Sequence, residues 1–325
     1  MQTCPHTAIA HAHANIAVAK YWGKRNSDLN LPCFDSVSFS VDALNTTTQA
    51  HWSDTYSSDA LIIDDHQIPD HQMGRISRIL DDIRKRKNWD KHCRLTSTNN
   101  FPHSSGLASS ASGYAAAAVA ASVAADLNDS QEELSRLARL GSGSAARSIA
   151  GGWVRWHAGH APDGSDSFAT SFAPPNHWPL QVFVVMISDA PKPVSSTEAM
   201  LRSQTSPFWE AYCHQAQTCA DLAEDAIKNR DFLSLADVMH QSALMLHALT
   251  LSCQPPICYF APKSIELLQF VLRSCRALHV CCTLDAGANV VVLCEEPAAP
   301  FVKNQILSLN VPFIQTTIGG GATVD

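Results

Sequence analysis

The chain has 325 residues, a length that suits one large domain or two packed ones. Hydrophobic residues make up 46 % and charged residues 16 %, which excludes wholesale disorder; the formal net charge of -7 argues against general binding to nucleic acid or anionic membranes. No apolar window of about 18 residues runs uninterrupted, and the N-terminus lacks the basic start and apolar core of a secretion signal, so the expected location is cytoplasmic.

In chain order, residues 16–19 form a short apolar run with strand character. His11 and His13 precede it, and period-two geometry puts both on one face. Polar residues near a site or edge explain that pair more simply than a metal does. Residues 36–41 alternate as S-V-S-F-S-V, a half-buried strand pattern, and residues 46–52 and 61–63 continue it. Residues 74–86 read as a helix, with Ile76, Ile79, Leu80 and Ile83 at spacings of three and four. After Phe101 the composition changes to small residues, a loop feeding an Ala-rich helix that Asp126 ends. Ser130 with Glu133 three residues on is a capping-box signature for a helix reaching Gly141.

Residues 160–179 are rich in Pro, Asp, Ser and His and read as connection. The expected division is residues 1–179 and residues 180–325. Beyond it come a strand at 180–187, amphipathic helices at 209–229, 232–251 and 264–276, and paired strands at 278–284 and 290–293. This order gives an α+β architecture, not a doubly wound parallel sheet. The eleven cysteines are odd in number and lack a short regular frame, so they do not form a disulfide scaffold. Cys253 and Cys258 bracket Gln-Pro-Pro, but no second ligand pair follows at zinc spacing.

Four strings carry the chemistry. From Pro102 to Ser112 the chain reads P-H-S-S-G-L-A-S-S-A-S. Small residues such as Gly106 and Ala108 let backbone N–H groups approach a phosphate, the next helix adds its positive end, and Ser109 and Ser110 offer hydroxyls to phosphate or magnesium. It is not a Walker sequence, and a tightly packed helix start would read the same way. Gly141, Ser142, Gly143 and Ser144 free the backbone before Arg147, whose fork suits phosphate or carboxylate; a Gly helix cap beside an Arg is the alternative. Lys20, Tyr21, Trp22, Gly23, Lys24 and Arg25 form either a polyanion site or an exposed basic turn. Asp285-Ala286-Gly287-Ala288-Asn289 puts an Asp at a strand end, in reach of a cleft or simply in a turn.

Taken together and in this order, N-I-A-x-x-K-Y-W-G-K-R, F-P-x-x-x-G-L-A-S-S-A-S-G, G-S-G-S-x-x-R-S-x-x-G-G and D-A-G-x-N resemble the diphosphomevalonate decarboxylases of the GHMP small-molecule kinase superfamily. Val194-Ser195-Ser196-Thr197 and Pro255-Pro256 extend the resemblance. It implies a two-domain GHMP fold with the active cleft between the domains, a homodimer, and ATP with Mg2+. The implied reaction converts mevalonate 5-diphosphate to isopentenyl diphosphate, a step of isoprenoid biosynthesis. By motif, Asp285 is the catalytic Asp, Lys20 lies beside it, and Ser110 stands near ATP and magnesium. Arg147, supported by Asn15, faces the substrate carboxylate and phosphates. Tyr21, Lys24, Ser142, Ser144 and Ser196 contact the diphosphate.

The sequence departs from the family pattern at Phe34-Asp35, at Ala288 and at His103-Ser104-Ser105. An acid at 35 would oppose a diphosphate if it faced the ligand. Two other readings stay open on this footing: a 3-kinase or decarboxylase of mevalonate or its monophosphate, and a non-catalytic binder with the same fold.

Overall fold

The computed structural model describes residues 6–101, 109–188, 190, 192 and 194–325. The strands are β1 (Thr7–Ala19), β2 (Lys24–Asn26), β3 (Leu31–Pro32), β4 (Ser36–Ser53), β5 (Ala60–Ile63), β6 (His66–Gln67), β7 (His92–Asn99), β8 (Trp153–Trp156), β9 (Ala169–Ala173), β10 (Leu180–Val185), β11 (Val280–Leu284), β12 (Val290–Glu295), β13 (Phe313–Thr316) and β14 (Thr323–Val324). The helices are α1 (Gly74–Lys87), α2 (Ser109–Ala124), α3 (Gln131–Gly141), α4 (Ala145–Ala150), α5 (Ser196–Ser203), α6 (Trp209–Asn229), α7 (Phe232–Ser252), α8 (Pro262–Leu278) and α9 (Ala299–Ser308).

One sheet has the order β14-β1-β4-β7-β5-β6, with β8 and β9 continuing from β4; a second has the order β11-β12-β10-β13. Helices α6 and α7 lie between the two sheets. Their Ala220, Ala223, Val238 and Met239 share one core with Ile16, Val18 and Phe39 of the first sheet and Val182 and Leu293 of the second. Helices α1 to α3 cover the far face of the first sheet, and α8 and α9 the far face of the second. Strand alternation produces the layering: Phe183 and Val185 point to one side of β10, Val182 and Val184 to the other. The Ala-rich α2 packs tightly because small side chains let it approach β1 and β4, and Ala121 O accepts from Trp52 Nε1 at 2.9 Å. No helix among the described residues is long and apolar enough to cross a membrane.

Several elements differ from the sequence expectation. Residues 36–41 and 46–52 belong to a single strand, β4, whose pairing with β1 shifts register between His13 and Asn15. Before the shift Ala10 and Ala12 face the helices α1 to α3; after it Ala14, Ile16 and Val18 face α6 and α7. The irregularity re-aims the strand and turns Asn15 toward α4. The segment 160–179 holds β9, which pairs with β8, so it is part of the sheet as well as a connection. The end of the chain returns to the first sheet: β14 pairs with β1, and Gly319 N donates to Ser40 O at 2.8 Å. His11 serves that return, with Nε2 at 3.0 Å from Asp325 Oδ1 and Nδ1 at 2.9 Å from Thr47 Oγ1.

Arg155 on β8 joins the first sheet to α6. Its Nε donates to Asp35 Oδ2 at 2.8 Å, Nη1 to Glu224 Oε2 at 2.7 Å, and Nη2 to Asp221 Oδ1 at 2.6 Å. Asp35 Oδ1 also accepts from Ala158 N at 2.7 Å. Burial pushes the Asp35 carboxyl up, but these donors more than offset it and hold it below the usual range. Arg155→Met takes the shared cation away from two largely buried carboxylates, Asp35 and Glu224, so stability is expected to fall by about 2 kcal/mol. Turnover should change less than about twofold, because the network lies outside the cleft described next. Thermal denaturation beside a steady-state assay checks both; an unchanged Tm would contradict the clamp.

Candidate active site

The ends of β1 and β11 meet at the base of a cleft. Lys20, just past β1, is 4 % exposed, and its Nζ donates to Asp285 Oδ1 at 2.5 Å and to Ala17 O at 2.9 Å. Asp285 follows β11 and keeps 35 % of its side chain open to the cleft. Burial pushes its carboxyl up, yet Lys20, Lys192 and Arg147 outweigh that and hold it below the usual range. The group is an anion at neutral pH, with one oxygen on Lys20. Asn289 of the same string is a structural tie: its Oδ1 accepts from Ile187 N at 2.8 Å and Ser188 N at 3.1 Å.

One wall comes from α4 and the turn before it. Arg147 is 3 % exposed; its Nε donates to Asn15 Oδ1 at 3.0 Å and its Nη1 to Ser36 Oγ at 2.8 Å. Asn15 Nδ2 in turn donates to Ser144 O at 2.9 Å and Ser148 Oγ at 2.8 Å. The guanidinium lies over the rings of Tyr21 and Trp156, and burial lowers it to about 10, so it remains a cation. Gly143 is required where it stands, since a Cβ there would fall 2.6 Å from the Tyr21 hydroxyl. That hydroxyl is buried and has no hydrogen-bond partner among the described residues, an orphaned polar atom that a phosphate oxygen would satisfy. Ser142 Oγ and Ser144 Oγ are 3.2 Å apart.

The cleft gathers Asn15, Lys20, Tyr21, Lys24, Ser110, Ser142, Ser144, Arg147, Ser196 and Asp285, ten residues read from the sequence as site residues. Ser109 opens α2 beside Ser110 without lining the cleft. Gly106 and Ala108, with the departure at 103–105, lie outside the described residues. Asp35 is on Arg155, away from the cleft, and Phe34 packs edge-on against Tyr212 with ring centroids 6.2 Å apart. The acid that departs from the family pattern therefore does not face the ligand space.

Two cations in the cleft escaped the sequence reading, Arg75 and Lys192. Arg75 sits in the first turn of α1, where the helix dipole disfavours a cation and no acid is present. That mismatch was a legible signal. Lys192 lies four residues before Ser196, with Nζ 3.5 Å from its Oγ, and burial lowers its pKa although Asp285 opposes this. Lys20, Lys24, Arg75, Arg147 and Lys192 thus face one carboxylate, Asp285, among the described residues around the cleft. Such a surplus fits polyanionic ligands.

Residues 12–169 match the diphosphomevalonate decarboxylase-like N-terminal domain, and residues 182–317 match the mevalonate 5-diphosphate decarboxylase C-terminal domain. This chain belongs to the diphosphomevalonate decarboxylase family. The Homo sapiens diphosphomevalonate decarboxylase is 37 % identical over 316 residues, which span 90 % of this chain and 78 % of the human one. The mevalonate diphosphate decarboxylase of Staphylococcus aureus superposes with a TM-score of 0.91 at 32 % identity, covering 98 % of each chain. The structure of MDDEF in complex with MVAPP, AMPPCP and magnesium gives 0.89 at 35 % identity, again over 98 % of each chain. The two-domain GHMP architecture expected from the motifs is that of these decarboxylases.

Proposed function

We infer that this chain catalyses the ATP-dependent decarboxylation of mevalonate 5-diphosphate to isopentenyl diphosphate, releasing ADP, phosphate and carbon dioxide. The observation that carries the reading is the buried Lys20–Asp285 pair opening into the same cationic cleft as Arg147 and the serines of residues 142–144.

A tertiary alcohol is a weak nucleophile and hydroxide a poor leaving group. Asp285 accepts the 3-hydroxyl proton as the oxygen bonds to the γ-phosphorus of ATP and ADP departs. Lys20 fixes the carboxylate and keeps it ionised. Ser110, in the first turn of α2, would offer its hydroxyl to magnesium and the nucleotide phosphates, and the positive helix end favours the phosphate charge. When bound, the metal neutralises charge on the transferring phosphoryl group. The C–O bond to the new phosphate then breaks, the electron pair of the bond to the carboxylate forms the double bond, and carbon dioxide leaves. Arg147 and Lys192 stabilise the phosphate as it departs. Tyr21, Lys24, Ser142, Ser144 and Ser196 hold the 5-diphosphate.

The same reading divides the chain near residue 180, with the terminal strand β14 returned to the first domain, and assigns a cytoplasmic homodimer; sedimentation velocity tests the oligomer. Asp35, tied to Arg155, gives no ground for a less charged substrate. Rates with mevalonate, its 5-phosphate and its 5-diphosphate test the substrate. The diphosphate should lead by orders of magnitude in kcat/KM, and preference for the monophosphate would overturn the reading.

Lys24 gives this reading a pH signature. Burial, with Arg75 and Arg78 nearby, lowers its pKa to about 8. The ammonium is present below that pH and lost above it, so kcat/KM for the diphosphate should fall above about pH 8. Lys24→Ala should lower kcat/KM through KM for the diphosphate, leave KM for ATP nearly unchanged, and abolish that limb. Equal losses for both ligands would place Lys24 on the nucleotide side.

A further inference from the structure

The turn between β2 and β3 presents a cleft side chain that the mechanism leaves unused. Asn30 closes that turn with φ +52°, a left-handed conformation that Asn tolerates better than most residues, and it is 6 % exposed. Its Nδ2 donates to Arg139 O at 2.9 Å and to Leu140 O at 3.2 Å. These carbonyls belong to the last turn of α3, where carbonyls lack intrahelical donors. Its Oδ1 accepts from Lys24 Nζ at 2.7 Å. The amide has only one orientation available: rotating it by half a turn would set the NH2 against the ammonium and the oxygen against two carbonyls.

Lys24 needs such an acceptor. The charges acting on it are the like charges of Arg75 and Arg78, both from α1. A charge-assisted bond to a fixed amide oxygen favours the protonated form and limits where the flexible side chain can go. Helix α3 continues directly into residues 141–144, whose serines face the same cleft. One side chain therefore joins the ammonium to the end of the helix that carries the serine turn.

We propose that Asn30 is a positioning residue for the diphosphate arm of the substrate, holding Lys24 and the serine turn in register as a single phosphate-binding unit. The proposal rests on the diphosphate reading given above. Asn30 acts through Lys24 and α3 and takes no part in proton or phosphoryl transfer.

Asn30→Gly removes the amide while tolerating the left-handed backbone. KM for mevalonate 5-diphosphate should rise roughly tenfold, the scale of a lost bond to a charged group, with kcat and KM for ATP within about twofold. In a Lys24→Ala background the same change should add clearly less than about tenfold, because the part of its effect that runs through Lys24 is already gone. The Lys24 titration, followed by NMR on lysine-labelled protein, should move to lower pH in Asn30→Gly.

Three results would overturn the proposal: an unmoved Lys24 titration, an undiminished effect without Lys24, or a lower KM, which would make Asn30 a competitor that withholds Lys24 from substrate. If Asn30→Gly does not fold, Asn30→Asp keeps the acceptor but loses both bonds to α3. It should shift the Lys24 titration upward and still raise KM; a wild-type KM would count against the proposal. If the wild type turns over only some other substrate, the diphosphate reading falls, while the Lys24 titration still decides whether Asn30 sets that side chain.

Discussion

Asp285→Asn is expected to fold normally and to lose roughly two to four orders of magnitude in turnover, the usual scale of a missing general base. Asn is nearly isosteric with Asp, and its amide oxygen can still accept from Lys20 Nζ, now 2.5 Å from Asp285 Oδ1. What disappears is the charge. The Lys20 side chain, 1 % exposed, loses its counter-anion, and the 3-hydroxyl loses its proton acceptor. ATP and substrate should still bind, because Lys24, Arg75, Arg147 and Lys192 remain. Phosphate and carbon dioxide release should fall together, since decarboxylation needs the 3-phosphate as leaving group. Near-normal carbon dioxide release would contradict the role. A variant that forms ADP and the 3-phosphate at full rate without decarboxylating would move Asp285 to the elimination step.

Arg147→Lys is expected to cost roughly 100- to 1000-fold in turnover and to lower Tm. The guanidinium holds two fixed partners, Asn15 Oδ1 and Ser36 Oγ, and lies over two aromatic rings. An ammonium is a point charge on a flexible stem and cannot keep both bonds while facing an anion. Either buried acceptor left unpaired costs about 1–3 kcal/mol. Asn15 would then lose its hold, and with it the Ser144 backbone that it anchors. Turnover at saturating substrate, measured below the Tm of the variant, separates the two effects. Wild-type turnover would remove Arg147 from the chemistry.

Much of this site was legible because its residues sit in four short strings whose spacing is local. Lys20, Arg147 and Asp285 each stand beside small residues that leave room for a ligand, and the fold brings the strings together. Cleft residues that stood outside those strings were harder to find. Lys192 lies in a Pro-flanked stretch with no periodic signal, and Arg75 is visible only as a cation at the wrong end of a helix. Asn30 reads as an ordinary turn residue until the carbonyls of α3, more than a hundred residues away, are seen against it. The fold was read in the same uneven way. The helix beginning at Gly74 and the capping box at Ser130 are local and match closely, with both capping-box bonds formed. The single long β4 was read as two strands because its pairing changes register part-way, a tertiary event that alternation alone does not encode. The strand β9 was hidden by Pro- and Asp-rich surroundings that score as loop.

The most direct test is one incubation of the purified chain with ATP, magnesium and mevalonate 5-diphosphate labelled at the carboxyl carbon. ADP, inorganic phosphate, labelled carbon dioxide and isopentenyl diphosphate are followed together. Phosphoryl transfer coupled to decarboxylation predicts that all four appear in equal amounts and that none forms when ATP is left out. ADP released without labelled carbon dioxide, or carbon dioxide released without ATP, would contradict it.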